Sequence, residues 1–274
     1  MNQPAPDKPE SDNIVVVPLR PSLRRRSVYL LPNAFTTAAL FCGFFAIVMA
    51  MNHRFDSAAI AIFIAMILDS LDGRVARLTN TQSEFGAQYD SLSDMVSFGV
   101  APALVIYEWT LKGMGKLGWM AAFVYCTGAA LRLARFNTNL KVVDKRYFQG
   151  LPSPAAAAIV AGFVLMMDDL QLPATGFTWV AWVLTLFSGL TMVTNVPFYS
   201  FKTVNIHKPV PYAAIILLAL VLVFIAIDPP KVLFSLFLLF GLSGYAVYLW
   251  RLLKGKPVSI VETKTGPCDD QPQQ

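Results

Sequence analysis

SAAIAIFIAMILDSLDGRVARL, residues 57–78, runs unbroken and apolar from Ala58 to Leu68 and then turns abruptly to Asp69, Asp72, Arg74 and Arg77. About 20 apolar residues in a helix cross the roughly 30 Å hydrocarbon layer of a bilayer. A soluble helix of this length would carry a polar stripe along its whole length, and this one has none until its last turns. Working outward, seven further stretches read as spans: about 32–52, 84–110, 117–137, 152–168, 176–195, 211–228 and 231–250. Breakers mark the linkers at Pro32, Gly113 with Gly115, Pro152 with Pro154, Pro173, Pro209 with Pro211, and Pro229 with Pro230. The fold expected is an all-α integral membrane protein, a polytopic helical bundle of about eight transmembrane helices.

Composition agrees: 55% of the 274 residues are hydrophobic and 14% charged, and the mean hydropathy is +0.54. Lipid is itself apolar, so helices gain little by burying apolar surface on one another. Small residues and polar contacts must hold such a bundle, which the Ala and Gly content suits. With the N-terminus inside, only Arg54, Lys112, Lys116 and Lys231 of the 22 Lys and Arg fall outside. This bias sets both termini in the cytoplasm. The net charge of +5 lies beside apolar spans, which points to anionic lipid head groups rather than to nucleic acid. Residues 20–31, basic then apolar, suit an interfacial helix or a simple positive-inside flank equally. Residues 1–19 are polar, Pro-rich and without an apolar signal core, so a disordered cytosolic tail is expected. Cys42, Cys126 and Cys268 are too scattered for a disulfide framework or a thiolate metal site.

Four acids decide the chemistry. A charge at membrane depth costs at least about 2.5 kcal/mol on insertion scales, so Asp69, Asp72, Asp90 and Asp94 in two apolar helices require a compensating cation. Asp69 and Asp72 stand at i and i+3, Asp90 and Asp94 at i and i+4, so each pair occupies one helical face. Carboxylates are hard ligands for Mg2+ or Mn2+, and four together would repel strongly unless two divalent ions lay between them. Two such ions suit phosphate chemistry, neutralising a pyrophosphate and stabilising the attacking and leaving oxygens. Gly73, Ala76 and Gly86 would let a nucleotide diphosphate approach the backbone, and Arg77 offers a fork to phosphate. An interhelical Asp–Arg network explains the pattern less well, since the acids outnumber the local arginines. A proton relay in a transporter accounts for the acids but not for the glycines, and all four acids fall near one membrane side.

The string D-x2-D-G-x2-A-R-x8-G-x3-D-x3-D, from Asp69 to Asp94, resembles the defining motif of the CDP-alcohol phosphotransferase family. That resemblance implies six core spans, with two C-terminal ones added here. It implies that Asp69, Asp72 and Asp90 hold two metals, and that Asp94 both touches metal and acts as general base. It also assigns Gly73, Arg77 and Ser83 to the CDP-lipid, and a Pro-Asn-x-x-Thr signature matches Pro32, Asn33 and Thr36. Helix capping by Asn33 and Thr36 is an equal and compatible reading.

Arg132-Leu133-Ala134-Arg135-Phe136-Asn137 and Phe148 to Ala155 resemble the bacterial integral-membrane, serine-accepting branch of that family. The resemblance implies CDP-diacylglycerol and L-serine as substrates, phosphatidylserine and CMP as products, an inner-membrane location with a cytoplasmic active site, and a homodimer. A serine pocket needs a fork for the carboxylate, which Arg132, Arg135 and Asn137 offer; positive-inside anchoring explains the same arginines. Sister enzymes accepting glycerol 3-phosphate, inositol phosphate or choline stay open, and Lys141, Lys145 and Arg146 would suit a phosphorylated acceptor. The expected organisation is a tail to 19, a catalytic membrane domain over 20–200, C-terminal helices over 201–253 and a second tail over 254–274.

Overall fold

The computed structural model describes residues 23–79, 83–139, 147–199 and 212–254. The two expected tails (except Lys254), residues 20–22 of the basic flank, the Lys141, Lys145 and Arg146 loop, Lys202, Lys208 and Cys268 lie outside the described residues.

Each of the eight apolar stretches is helical. The helices are α1 (Leu23–Met51), α2 (Phe55–Leu78), α3 (Glu84–Asp94), α4 (Ala101–Trp109), α5 (Lys116–Asn139), α6 (Ser153–Asp169), α7 (Thr178–Val193), α8 (Tyr212–Ile227) and α9 (Pro229–Leu253). A π-helical turn, Met95–Val100, joins α3 to α4, so the third stretch is one helix with a widened middle. Among the described residues, three segments are long and apolar enough to cross a membrane, Asn33–Met51, Lys116–Thr138 and Pro229–Leu253. α2 has the length but carries five charged side chains, Asp56, Asp69, Asp72, Arg74 and Arg77. α6, α7 and α8 have 17, 16 and 16 residues, short of the roughly 20 for a full crossing.

Two details depart from expectation. Pro32 does not break the chain but lies within α1, since one proline removes a single ladder bond from an otherwise helix-forming stretch. Asn33 and Thr36 are therefore interior residues and cap nothing. The all-α reading also misses a short antiparallel ladder of β1 (Tyr147–Gln149) and β2 (Pro197–Tyr199), with Phe148 opposite Phe198. Non-helical backbone beside a bundle must still satisfy its amides, and pairing two loop segments does so.

α1 lies along α2, α5 along α7, and α6 between α2 and α9. The buried seams are built of small residues: Ala39, Ala46 and Ala50 on α1, Ala58, Ala61 and Ala65 on α2, and Ala155 to Ala158 on α6. Large apolar side chains such as Phe41, Phe44, Ile60 and Ile67 point outward. That is the reverse of a water-soluble core, as expected where lipid is the solvent. α5 and α7 are in backbone contact: a Cβ at Gly128 would strike the Gly189 carbonyl, and one at Gly189 would lie 2.7 Å from Tyr125 Cα.

Candidate active site

The last turns of α2 and the length of α3 converge on α1. Carboxylate oxygens of Asp69, Asp72 and Asp90 lie within 4.8 Å of one another. Asp94, one turn beyond Asp90, brings its carboxyl group beside that of Asp69. All four acids thus meet at one end of the bundle, as the i, i+3 and i, i+4 spacings predict.

α1 sets the register. Thr36 Oγ1 donates to Asp72 Oδ2 at 2.8 Å, and both residues are buried. Ser93 and Ser97 donate to the carbonyls of Thr36 and Ala39, each at 3.1 Å. A Cβ at Gly43 would lie 2.7 Å from Ser97 Cα, so the π turn rests against α1 just after Asp94. Such turns gather at functional sites; here the turn re-aims the chain immediately beyond the last acid.

On the expected nucleotide side, Ser83 caps α3, its Oγ accepting from the Gly86 amide at 3.0 Å. Asn33 lies beside it: a Cβ at Gly86 would be 3.6 Å from Asn33 Oδ1. Gly73 faces open space, with nothing within 4 Å of an added Cβ. Arg77 Nε donates to the Gly73 carbonyl at 2.8 Å on an exposed flank, and Ala76 is half-buried beside them.

The three residues expected to hold serine separate. Arg132 turns to the acids: its Nη1 donates to Ser153 Oγ at 2.7 Å, and its charge faces Asp94. Arg135 points to the end of α7, donating to Asn195 Oδ1 at 3.0 Å and to the Val193 carbonyl. Asn137 pairs with Ser91 beside Asp90, its Nδ2 donating at 3.0 Å. Ser91, Ser93, Ser97 and Ser153 were not singled out from the sequence. For Ser93 and Ser97 a signal existed, since buried hydroxyls on a membrane helix need an acceptor; Ser153 lies in the Phe148 to Ala155 stretch that carries the resemblance.

The donor set fits a divalent cation. Asp90 Oδ1 is buried and bonded to no described residue, an orphaned oxygen beside two further carboxylates that a hard cation would satisfy. The sequence model of the CDP-alcohol phosphatidyltransferase family matches residues 29–187. The chain belongs to that family. Members of this CDP-alcohol phosphatidyltransferase family generally use divalent metals, and the aspartate cluster offers a place for one. The chain is 34% identical over 231 residues to the CDP-diacylglycerol–serine O-phosphatidyltransferase of a Helicobacter pylori strain, covering 84% of this chain and 96% of that one. It is 33% identical over 213 residues to the Mycobacterium leprae protein of the same name, covering 76% and 70%. With the Saccharomyces cerevisiae protein of that name the figures are 40% over 136 residues, 44% and 49%.

Proposed function

We propose that this CDP-alcohol phosphatidyltransferase moves the phosphatidyl group of CDP-diacylglycerol to the hydroxyl of L-serine, forming phosphatidylserine and releasing CMP. The observation that carries this reading is the likeness, over 96% of its length, to a relative named for serine transfer. Asp69, Asp72, Asp90 and Asp94 hold two divalent ions, Mg2+ or Mn2+, in this reading. The all-oxygen donor set supports those ions over zinc. When bound, they neutralise the pyrophosphate and the charge that develops on departing CMP.

The residues of the chain do the rest. Asp94 takes the proton of the serine hydroxyl; the freed oxygen bonds to the phosphorus that carries diacylglycerol, and the bond from that phosphorus to CMP breaks, its electron pair leaving with CMP. Asn33, Thr36, Gly73, Ala76, Arg77, Ser83 and Gly86 form the CDP-lipid side. The open space over Gly73 and the closeness of Asn33 to Gly86 support that assignment. Arg132, Arg135 and Asn137 are assigned to the serine side, with Arg132 as the member that faces the base and the other two turned to partners of their own. The charge of Arg132 facing Asp94 supports it, because a serine carboxylate held there brings its hydroxyl toward the base.

In the same reading the chain crosses the inner membrane eight times, six core helices and two C-terminal ones, with both termini and the site cytoplasmic. The catalytic domain covers 20–200 between cytosolic tails at 1–19 and 254–274, with helices over 201–253 packing in a homodimer or the bundle. The charge asymmetry of the loops supports the orientation. The test is release of labelled CMP from CDP-diacylglycerol by purified protein with Mg2+ or Mn2+ across a panel of alcohols. Serine-dependent release is expected; release driven by another alcohol and not by serine overturns the acceptor assignment.

A further inference from the structure

α9 lies outside the residues matched by the family, yet it is tied to the acceptor side of the site. The guanidinium of Arg132 donates through Nη1 to Ser153 Oγ at 2.7 Å, while its Nε is buried without a partner among the described residues. Where this group points therefore depends on where Ser153 stands. Ser153 opens α6 and is fully buried. The turn that delivers it is not helical, with Gly150 at φ +78°, a conformation that favours glycine. Two backbone bonds hold that turn: the Gly150 amide to the Val196 carbonyl at 3.0 Å, and the Leu151 amide to the Thr191 carbonyl at 3.1 Å. The last turn of α7 is therefore its anchor.

That turn is braced from outside by α9. Tyr245 Oη lies 2.8 Å from Thr191 Oγ1. The Tyr245 ring packs on Phe187, ring centroids 5.7 Å apart. Gly244 admits the Phe198 ring of β2 against the α9 backbone, where an added Cβ would lie 2.8 Å from Phe198 Cδ1. Phe198 in turn packs on Phe240, centroids 5.7 Å apart. Arg135 bonds to the same corner through Asn195 and Val193.

We propose that Tyr245 is a positioning residue for the acceptor half of the active site, acting through Thr191 and the Gly150–Ser153 turn on Arg132. This rests on the assignment of Arg132 to the acceptor. The contacts from Tyr245 to Ser153 involve none of the four acids and reach the site only through Arg132, so the effect is expected on the acceptor. A purely structural brace would instead weaken both halves of the site together with stability.

The experiment is steady-state kinetics on the full-length enzyme in detergent micelles, varying each substrate, with thermal stability measured alongside. Tyr245→Phe removes the hydroxyl and keeps the ring. The expected result is a rise of about threefold to tenfold in KM for serine, the scale of one lost neutral hydrogen bond, with KM for CDP-diacylglycerol unchanged. Thr191→Val should give the same selective rise, and the double variant no more than either single one, because both remove the same bond. If Tyr245→Phe does not yield folded protein, Thr191→Val carries the test alone. An unchanged serine KM, an equal rise in both KM values, or additive single effects overturns the proposal. A wild-type enzyme inert toward serine but active with another alcohol overturns the serine reading only, and the same variants are then read on the KM for that alcohol.

Discussion

Replacing Thr36 by valine removes one hydroxyl from beneath Asp72 and leaves the volume nearly unchanged. Thr36 and Asp72 are each 5% exposed and their oxygens are 2.8 Å apart, so water cannot readily take the place of the lost donor. A hydrogen bond to a charged group contributes about 1.5–3 kcal/mol, or roughly tenfold to 150-fold in an equilibrium constant. Groups that orient a metal ligand typically change affinity about 10- to 100-fold when removed, which brackets the same range. Thr36→Val should therefore raise the Mg2+ or Mn2+ concentration for half-maximal CMP release by about tenfold to a hundredfold, while saturating metal recovers most of kcat. Thr36→Ser, which keeps the hydroxyl, should lie near wild type. The Ser93 bond to the Thr36 carbonyl survives in both variants, so helix register is not the variable. An unchanged metal requirement in Thr36→Val, or a loss of activity that no metal concentration restores, would refute the reasoning.

Asp94→Asn should abolish turnover while retaining most metal and CDP-lipid binding, whereas Asp69→Asn should lose both; equal loss of metal affinity in the two variants, measured by calorimetry, would sink the division of roles. Excess chelator should stop CMP release and added Mg2+ or Mn2+ should restore it; full activity in chelator rules out the metal-dependent mechanism. Arg132→Lys should raise serine KM by about tenfold or more, since lysine keeps the charge but not the planar fork. Arg135→Lys should change it less and chiefly lower stability, because that fork is spent on the end of α7; the reverse order in kinetic assays would move the acceptor pocket. Gly128→Val should cost about 1–3 kcal/mol of stability or more by driving α5 from α7, and an unaltered melting curve would contradict that backbone contact.

The acids were legible in the sequence because two physical rules act on them at once. Charge at membrane depth is costly without a partner, and helical spacing fixes which charges share a face, so Asp69, Asp72, Asp90 and Asp94 could be placed together before any coordinate was known. The helices were legible for a similar reason, apolar length. The π turn at Met95–Val100 was not: it packs on α1 where Gly43 meets Ser97, a contact between residues far apart in the chain that no local pattern announces. The fate of Arg135 was equally hidden: its partners Val193 and Asn195 lie on another helix end, and a basic residue near a span terminus looks the same whether it binds ligand, caps a helix or sets topology. Asn33 and Thr36 looked like caps because Pro32 reads as a helix start, and only the continuation of α1 back to Leu23 shows that they face the site from within a helix.

The seams of alanine and serine follow from the chemistry they frame. Three carboxylates within 4.8 Å of one another on two helices meet across α1, which packs along α2 and against α3 while α2 and α3 hardly touch each other. Bulky side chains at Ala39, Ala46, Ala58 or Ala65 would hold these helices apart and leave the acids too distant to share a cation. Small seams alone, however, would let helices slide, because apolar contact hardly distinguishes a neighbouring helix from lipid. Directional bonds supply the missing register. Ser93 and Ser97 bond to carbonyls of Thr36 and Ala39, one turn apart on each helix, and Thr36 Oγ1 carries the same seam on to Asp72. A shift of α3 by one residue along α1 would break these bonds together and turn Asp90 and Asp94 away from Asp69 and Asp72. The hydroxyls that hold the bundle in register are thus the ones that hold the ligand set in register, which is why they cluster on the turns that carry the acids.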